Sequence, residues 1–151
     1  MESLVEILIL QMEKGGSAEL TVTGWSMLPM LQNRRDVVTL IPPTKEPKKK
    51  DVVLYRRKNG QYVLHRIIDI EDGTYIISGD NQAVCESVEA PQIIAVVSGF
   101  THKGRPYSVQ SFGYRIYAWI WVELFCLRKG YLFIRRRVGR LLSKIRRKPR
   151  K

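Results

Sequence analysis

The sequence predicts a mostly β fold, and two observations carry that prediction. Between about residues 19 and 107, short apolar runs alternate with clusters of turn-forming residues, a pattern typical of antiparallel strands joined by hairpins. The 151 residues are 44% hydrophobic and 26% charged, which is enough apolar sequence for one core in a chain of this length. This composition excludes collagen-like, mucin-like and wholly disordered chains.

A short helix is expected before the first strand. Leu4, Ile7, Leu8 and Met12 recur at helical spacing within residues 2–14, and glycines at 15 and 16 end the pattern. We therefore expect an N-terminal helix within 1–18, a β-rich body over 19–107 and a C-terminal helical segment over 108–151.

Six strands are predicted in the body from the apolar runs and the turns between them. They cover residues 20–23, 37–41, 52–57, 62–70, 74–78 and 93–100. Asn59-Gly60 is a strong hairpin signal because both residues tolerate the positive φ angles of a tight turn. Asp36 and Asp51 are expected to begin strands rather than to catalyse.

The C-terminal segment combines an apolar run with most of the net charge. Twelve Lys and Arg residues and no acid lie in residues 128–151 (the basic tail), whereas residues 1–127 carry fourteen of each sign. In residues 116–127, eleven of twelve side chains are apolar or aromatic. A helix of that length rises about 18 Å, short of the roughly 30 Å of hydrocarbon in a bilayer. We expect an amphipathic, basic helix on an anionic membrane surface; a helix docked on the β body and a tilted span over 116–134 are alternatives.

The same features give expectations for location and cofactors. Glu2 and Glu6 stand where a secretory signal has basic residues, so no export signal is expected and the body is predicted to be cytoplasmic and peripherally membrane-associated. If 116–134 spanned the membrane, the body would instead face outside. Cys85 and Cys126 are too few for a disulfide framework or a cysteine-based zinc site, and no metal or cofactor is expected.

The strongest chemical signal is the stretch Thr-Gly-Trp-Ser-Met-Leu-Pro at residues 23–29. Ser26 follows a strand and lies between Gly24 and Pro29, in a turn that can present a hydroxyl at an exposed corner. Met27 and Pro29 are expected to shape this turn and a substrate cleft. Because serine in such a turn is usually structural, its interpretation depends on the motifs that follow.

Three further motifs follow in a fixed order. Asp-Val-Val begins predicted strands at 36 and 51, Tyr-Val-Leu-His-Arg-Ile occupies 62–67, and Ser-Gly-Asp-Asn occupies 78–81. Over about residues 21–97, this order resembles the signal peptidase I and repressor-type self-cleaving serine peptidase superfamily. The resemblance implies a body of coiled antiparallel sheets of that peptidase type, with Ser26 as the nucleophile.

The resemblance also implies a general base. Most bacterial members carry a lysine just before the arginine of the third motif, and His65 occupies that place here. The sequence is therefore similar to the serine–histidine branch of endoplasmic-reticulum, archaeal and some Gram-positive signal peptidases. Histidine, with an ordinary pKa of about 6.5, can accept the serine proton without the deep burial that a catalytic lysine needs. Arg66 could pair with a carboxylate of these motifs.

A histidine base is usually oriented by a carboxylate, and two candidates remain open. Asp80 lies in the Gly-Asp-Asn motif that resembles the family's and is slightly preferred. Glu86 lies where the serine–histidine branch tends to carry an aspartate. The Ser26 backbone N–H is expected to hold the oxyanion, and His102 is expected to be an exposed loop residue.

The main hypothesis is a serine endopeptidase that cleaves a precursor, leader or membrane-proximal peptide. A second hypothesis is a nucleic-acid-associated regulator, because the basic tail could bind phosphates non-specifically. Nucleic acid is the less favoured partner, since the tail follows an aromatic apolar run and no known DNA-binding motif is present. A third hypothesis is a catalytically inactive family member.

Overall fold

Eight antiparallel strands form one sheet in a computed structural model that describes residues 2–14, 16–127, 129–131 and 134. The elements in chain order are α1 (Glu2–Glu13), β1 (Ala18–Thr21), β2 (Val37–Ile41), β3 (Val52–Arg56), β4 (Tyr62–Glu71), β5 (Thr74–Ser78), β6 (Glu86–Val88), a 3₁₀ turn (Ala90–Gln92), β7 (Ile93–His102), β8 (Arg105–Ser108) and α2 (Phe112–Glu123). The mostly antiparallel β architecture predicted from the sequence is confirmed.

The strand order brings distant parts of the chain together. The order is β1-β2-β7-β3-β4-β5-β6, with β8 paired to β7, so β1 is an edge strand. Strand β4 pairs with β3 over Tyr62–Arg66. On its other edge, β4 pairs with β5 only from Arg66 onward. Residues 62–65 therefore pair with β3 on one side only, and they line a cleft that residues 21–23 also line.

Helix α1 covers one end of the larger apolar core. Among its side chains from residue 5 onward, Val5, Leu8 and Met12 are buried, and they recur at helical spacing. Ile7, which the sequence placed on the apolar face, is 59% exposed. The prediction was wrong because the buried stripe runs through Val5 instead. Gly15, one of the two predicted helix-ending residues, lies outside the described residues.

The sequence missed β6 and β8. Both strands are short and mainly polar or exposed, so neither shows an alternating apolar pattern. Lys103 and Gly104 have positive φ angles of 52° and 75° and form the turn into β8. As a result His102 ends β7, and its Nδ1 lies 2.6 Å from Oδ2 of the fully buried Asp36. The prediction of an exposed loop histidine was wrong.

Helix α2 begins and ends four residues before the predicted helix. Ser111 accepts a hydrogen bond from the Tyr114 N–H and so fixes the N-terminus. One face of α2 docks on the sheet through Tyr114 and Tyr117, as one of the sequence alternatives proposed. No helix within the described ranges is both long and apolar enough to cross a bilayer. Most of the basic tail lies outside the described residues.

Candidate active site

Ser26 lies in the turn that follows β1, and hydrogen bonds hold this turn on both sides of Ser26. Gly24 has a φ of +96°, a conformation that favours glycine, and its N–H donates to Asn33 Oδ1 at 2.9 Å. Met27 is buried, and its carbonyl accepts from the Leu31 N–H at 2.9 Å. Ser26 itself is half-buried between these two fixed points.

The Gly-Asp-Asn loop at residues 79–81 holds the other side of Ser26. The Asn81 N–H donates to the Ser26 carbonyl oxygen at 2.7 Å, and the Asn81 side-chain amide donates to the Trp25 carbonyl at 3.2 Å. Two motifs that are far apart in the sequence are thus joined by hydrogen bonds around the predicted nucleophile.

Ser26 and His65 meet at Gly79. A Cβ atom placed on Gly79 would lie 3.0 Å from Ser26 Cβ and 3.1 Å from His65 Nε2. Nε2 is therefore the imidazole nitrogen on the Ser26 side. Among the described residues the Ser26 hydroxyl makes no protein hydrogen bond. Catalytic hydrogen bonds are often long in peptidases without substrate and shorten when substrate binds.

Burial keeps His65 neutral. Its side chain is nearly inaccessible, at 2% exposure, and this burial lowers its pKa to about 4. The charges of Glu86 and Asp80 oppose this shift, whereas the charge of Arg57 adds to it. At neutral pH the imidazole therefore carries a lone pair that can accept a proton.

The Nδ1 side of His65 faces a phenol and a carboxylate. The Tyr55 hydroxyl lies 3.3 Å from Nδ1, and Glu86 Oε1 lies 4.0 Å from it. Arg57 holds this carboxylate with two donors, Nε to Oε2 at 2.6 Å and Nη2 to Oε1. The hydrogen bonds from Arg57 lower the pKa of Glu86, so this carboxylate is ionised at neutral pH.

Asp80 has a different partner. Arg66 donates to both of its oxygens at 2.8 Å, and both side chains are fully buried. The Tyr117 hydroxyl donates to Oδ2 at 2.9 Å. This confirms the pairing of Arg66 with a motif carboxylate that the sequence suggested. Arg66 and Tyr117 thus occupy the Asp80 oxygens, whereas an oxygen of Glu86 faces Nδ1 of His65.

A cleft of about 330 Å³ opens beside Ser26 and His65. Residues 21–23 and 62–64 line it, and Val5 of α1 also contributes to the lining. Met27 is also among the residues that line this cleft. Pro29 and Gly24 are exposed in the turn and lie outside the lining formed by the described residues.

Two residues of this arrangement, Tyr55 and Arg57, were not predicted from the sequence, and Gly79 was noted only as part of the Ser-Gly-Asp-Asn motif. The hairpin predicted at Asn59-Gly60 could have indicated Tyr55. Its register pairs Val53 with His65 and Tyr55 with Val63, so Tyr55 and His65 are diagonal neighbours on one face. Within the described ranges, no group of three His, Cys, Asp or Glu side chains is placed to hold a metal ion.

No protein-family model matches the chain, and a search of curated proteins finds no match.

Proposed function

We propose that the chain is a serine endopeptidase that resembles the signal peptidase I and repressor-type superfamily. The observation that carries the proposal is the convergence of Ser26 and His65 Nε2 on Gly79, at the side of an open cleft. A serine hydroxyl is a weak nucleophile and needs a neighbouring base. A neutral, buried histidine turned toward it meets that need.

The reaction proceeds through an acyl-enzyme. Ser26 Oγ attacks the carbonyl carbon of the substrate peptide bond while its proton passes to His65 Nε2. The imidazolium then gives that proton to the amine nitrogen as the C–N bond breaks, which leaves an ester on Ser26. A water molecule attacks the ester with His65 again as the base; the ester C–O bond breaks, and the proton returns to Ser26.

Two groups stabilise the charges that form during this reaction. The ionised Glu86, near Nδ1, lowers the free energy of the imidazolium. The Ser26 N–H donates no hydrogen bond to the protein among the described residues, so it can donate to the oxyanion.

The cleft fits an extended peptide. Residues 62–64, at the edge of β4 that β5 does not pair with, line the cleft together with residues 21–23 at the end of β1, so a substrate strand can add hydrogen bonds to the sheet. Val22, Leu54 and Leu64 contribute apolar lining, which suits an apolar substrate side chain near the cut. A precursor, leader or membrane-proximal peptide is the proposed substrate.

The exposed face of α2 supports a membrane surface as partner. This face carries large exposed apolar side chains, Phe112 at 78% exposure, Ile116 at 45% and Trp119 at 54%, and the basic tail follows α2 in the sequence. Apolar residues bordered by bases are typical of helices that bind anionic lipid headgroups. We propose that this helix binds the peptidase to an anionic membrane surface.

Peptide-library cleavage tests the proposed activity. The full chain is incubated with a peptide library and new termini are identified by mass spectrometry, with Ser26→Ala as test and Ser17→Ala as control. Ser17 is exposed before β1 and outside the cleft lining. Cleavage should persist in Ser17→Ala and fall at least about 1,000-fold in Ser26→Ala. Equal cleavage by Ser26→Ala contradicts the assignment.

Sedimentation with vesicles tests the proposed partner. The protein should bind vesicles containing phosphatidylserine more strongly than pure phosphatidylcholine vesicles, and Trp119→Ser should weaken this binding. Preferential binding to duplex DNA at physiological salt would instead favour a nucleic-acid partner.

A further inference from the structure

The second nitrogen of the His65 ring faces a hydroxyl group at hydrogen-bond distance, whereas the carboxylate behind it is too far away. Tyr55 OH lies 3.3 Å from Nδ1. Oε1 of Glu86 is 4.0 Å from the same nitrogen, beyond the range of a hydrogen bond. The group that contacts the base directly is therefore a phenol.

Tyr55 is rigidly held. It is fully buried in β3, where it pairs with Val63 of β4 and Ile93 of β7. Its ring lies 6.2 Å from the His65 ring at an interplanar angle of 53°. Burial, followed by the charge of Glu86, raises the pKa of Tyr55, so the phenol stays protonated and has a proton to donate.

The neighbours of the phenol decide the direction of its hydrogen bonds. Glu86 is ionised and fixed by Arg57, and an ionised carboxylate can only accept hydrogen bonds. When the phenol proton points toward Glu86, the phenol oxygen accepts from Nδ1–H of His65. The imidazole then carries its proton on Nδ1, which leaves the lone pair of Nε2 turned toward Ser26.

We propose that Tyr55 is a positioning residue that fixes His65 in the Nδ1–H tautomer, and that it transmits the orienting effect of Glu86 to the imidazole ring. The catalytic consequence rests on the proposed peptidase function, whereas the tautomer is a property of the fold alone. Tyr55 would act on the reaction only through His65.

Nitrogen-15 NMR of the His65 ring tests the tautomer directly in the full-length protein. The test variant is Tyr55→Phe, and Tyr75→Phe is the matched control because Tyr75 is 5% exposed and lies in the same apolar cluster. Wild type and Tyr75→Phe should show the Nδ1–H signals, and Tyr55→Phe should move toward Nε2–H. In a peptidase assay, kcat of Tyr55→Phe should fall about tenfold with KM unchanged, as expected for one lost hydrogen bond.

Glu86→Gln tests the same relay without opening a buried cavity, since the Glu86 side chain is 29% exposed. This variant should also shift His65 toward Nε2–H. Wild-type ring signals in both Tyr55→Phe and Glu86→Gln would overturn the proposal. If the wild-type protein cleaves no peptide but Tyr55→Phe and Glu86→Gln both shift His65 toward Nε2–H, the result would contradict the peptidase function and support the positioning role.

Discussion

Replacing Asp80 by Asn is expected to destabilise the fold far more than it impairs catalysis. Asp80 and Arg66 are both fully buried and share two hydrogen bonds of 2.8 Å. Asparagine keeps the shape but removes the negative charge, and its amide group turns a donor toward either Arg66 or Tyr117. The Arg66 guanidinium is then a buried cation without its counter-ion.

The magnitude follows from this arrangement. Breaking a buried ion pair by removing one partner costs about 3–5 kcal/mol because the other charge stays buried and uncompensated. A domain of this kind has a free energy of unfolding of about 5–15 kcal/mol, so the loss is a large share of it. Asp69→Asn is the matched control, since that side chain is 53% exposed and lies 3.6 Å from Lys49. It should change stability by less than about 0.5 kcal/mol.

Urea unfolding followed by tryptophan fluorescence measures the free energy of unfolding. Peptide cleavage is then compared at a temperature where both proteins are folded. We expect Asp80→Asn to lose stability by the stated amount and to keep most of its kcat. A variant as stable as wild type that loses kcat by about 1,000-fold would refute this reasoning and make Asp80 the acid that acts on His65.

Three further predictions concern the site and a second buried carboxylate. Gly79→Ala should abolish peptide cleavage, because the added methyl would lie 2.7 Å from the Ser26 carbonyl oxygen. The control Gly113→Ala should retain cleavage, because a methyl added there would have no atom of the described residues within 4 Å beyond its chain neighbours and its own helix backbone. The pH profile of kcat/KM should fall only as the pH approaches about 4, where His65 becomes protonated; a fall centred at the ordinary 6.5 would be incompatible with its burial. Burial alone would raise the pKa of Asp36, but hydrogen bonds from Arg35, Gln32 and His102 lower it from 3.8 to about 2. Asp36 therefore contributes about 2 kcal/mol of stability that is fully present above pH 3.8 and is lost as the pH falls through 2. At pH 7, urea unfolding should show that Asp36→Asn is less stable than wild type by that amount. If the difference in free energy of unfolding between the two proteins is just as large at pH 2, the prediction is wrong.

The strands could be predicted where apolar alternation was strong. β2 and β5 have the predicted bounds, and β4 extends one residue beyond them. β8 could not be predicted in this way, because its four residues are all exposed and show no periodicity. Its existence depends on the turn at Lys103-Gly104 and on pairing with β7, which are tertiary features.

The candidate site was predictable only in part. Motif order was enough to suggest Ser26 and His65, which the fold brings together at Gly79. The pairing of Arg66 with a motif carboxylate was suggested by the sequence, but the hydrogen bond from Tyr117 to Asp80 was not, because it depends on a helix about forty positions later in the chain. The role of Tyr55 could not be predicted for another reason. A buried aromatic residue in a strand ordinarily indicates only core packing.

The contacts of α2 connect this helix to the candidate active site. Trp121 Nε1 donates to the Asp80 carbonyl at 3.0 Å, and the next residue, Asn81, holds Ser26. A chain cut after β8 would keep all eight strands and both reactive side chains, yet it would lose this support and the aromatic rings that enclose Arg66. The smallest unit able to carry the proposed activity is therefore longer than its sheet. If α2 binds a membrane as proposed, a force on this helix would reach Ser26 through two hydrogen bonds.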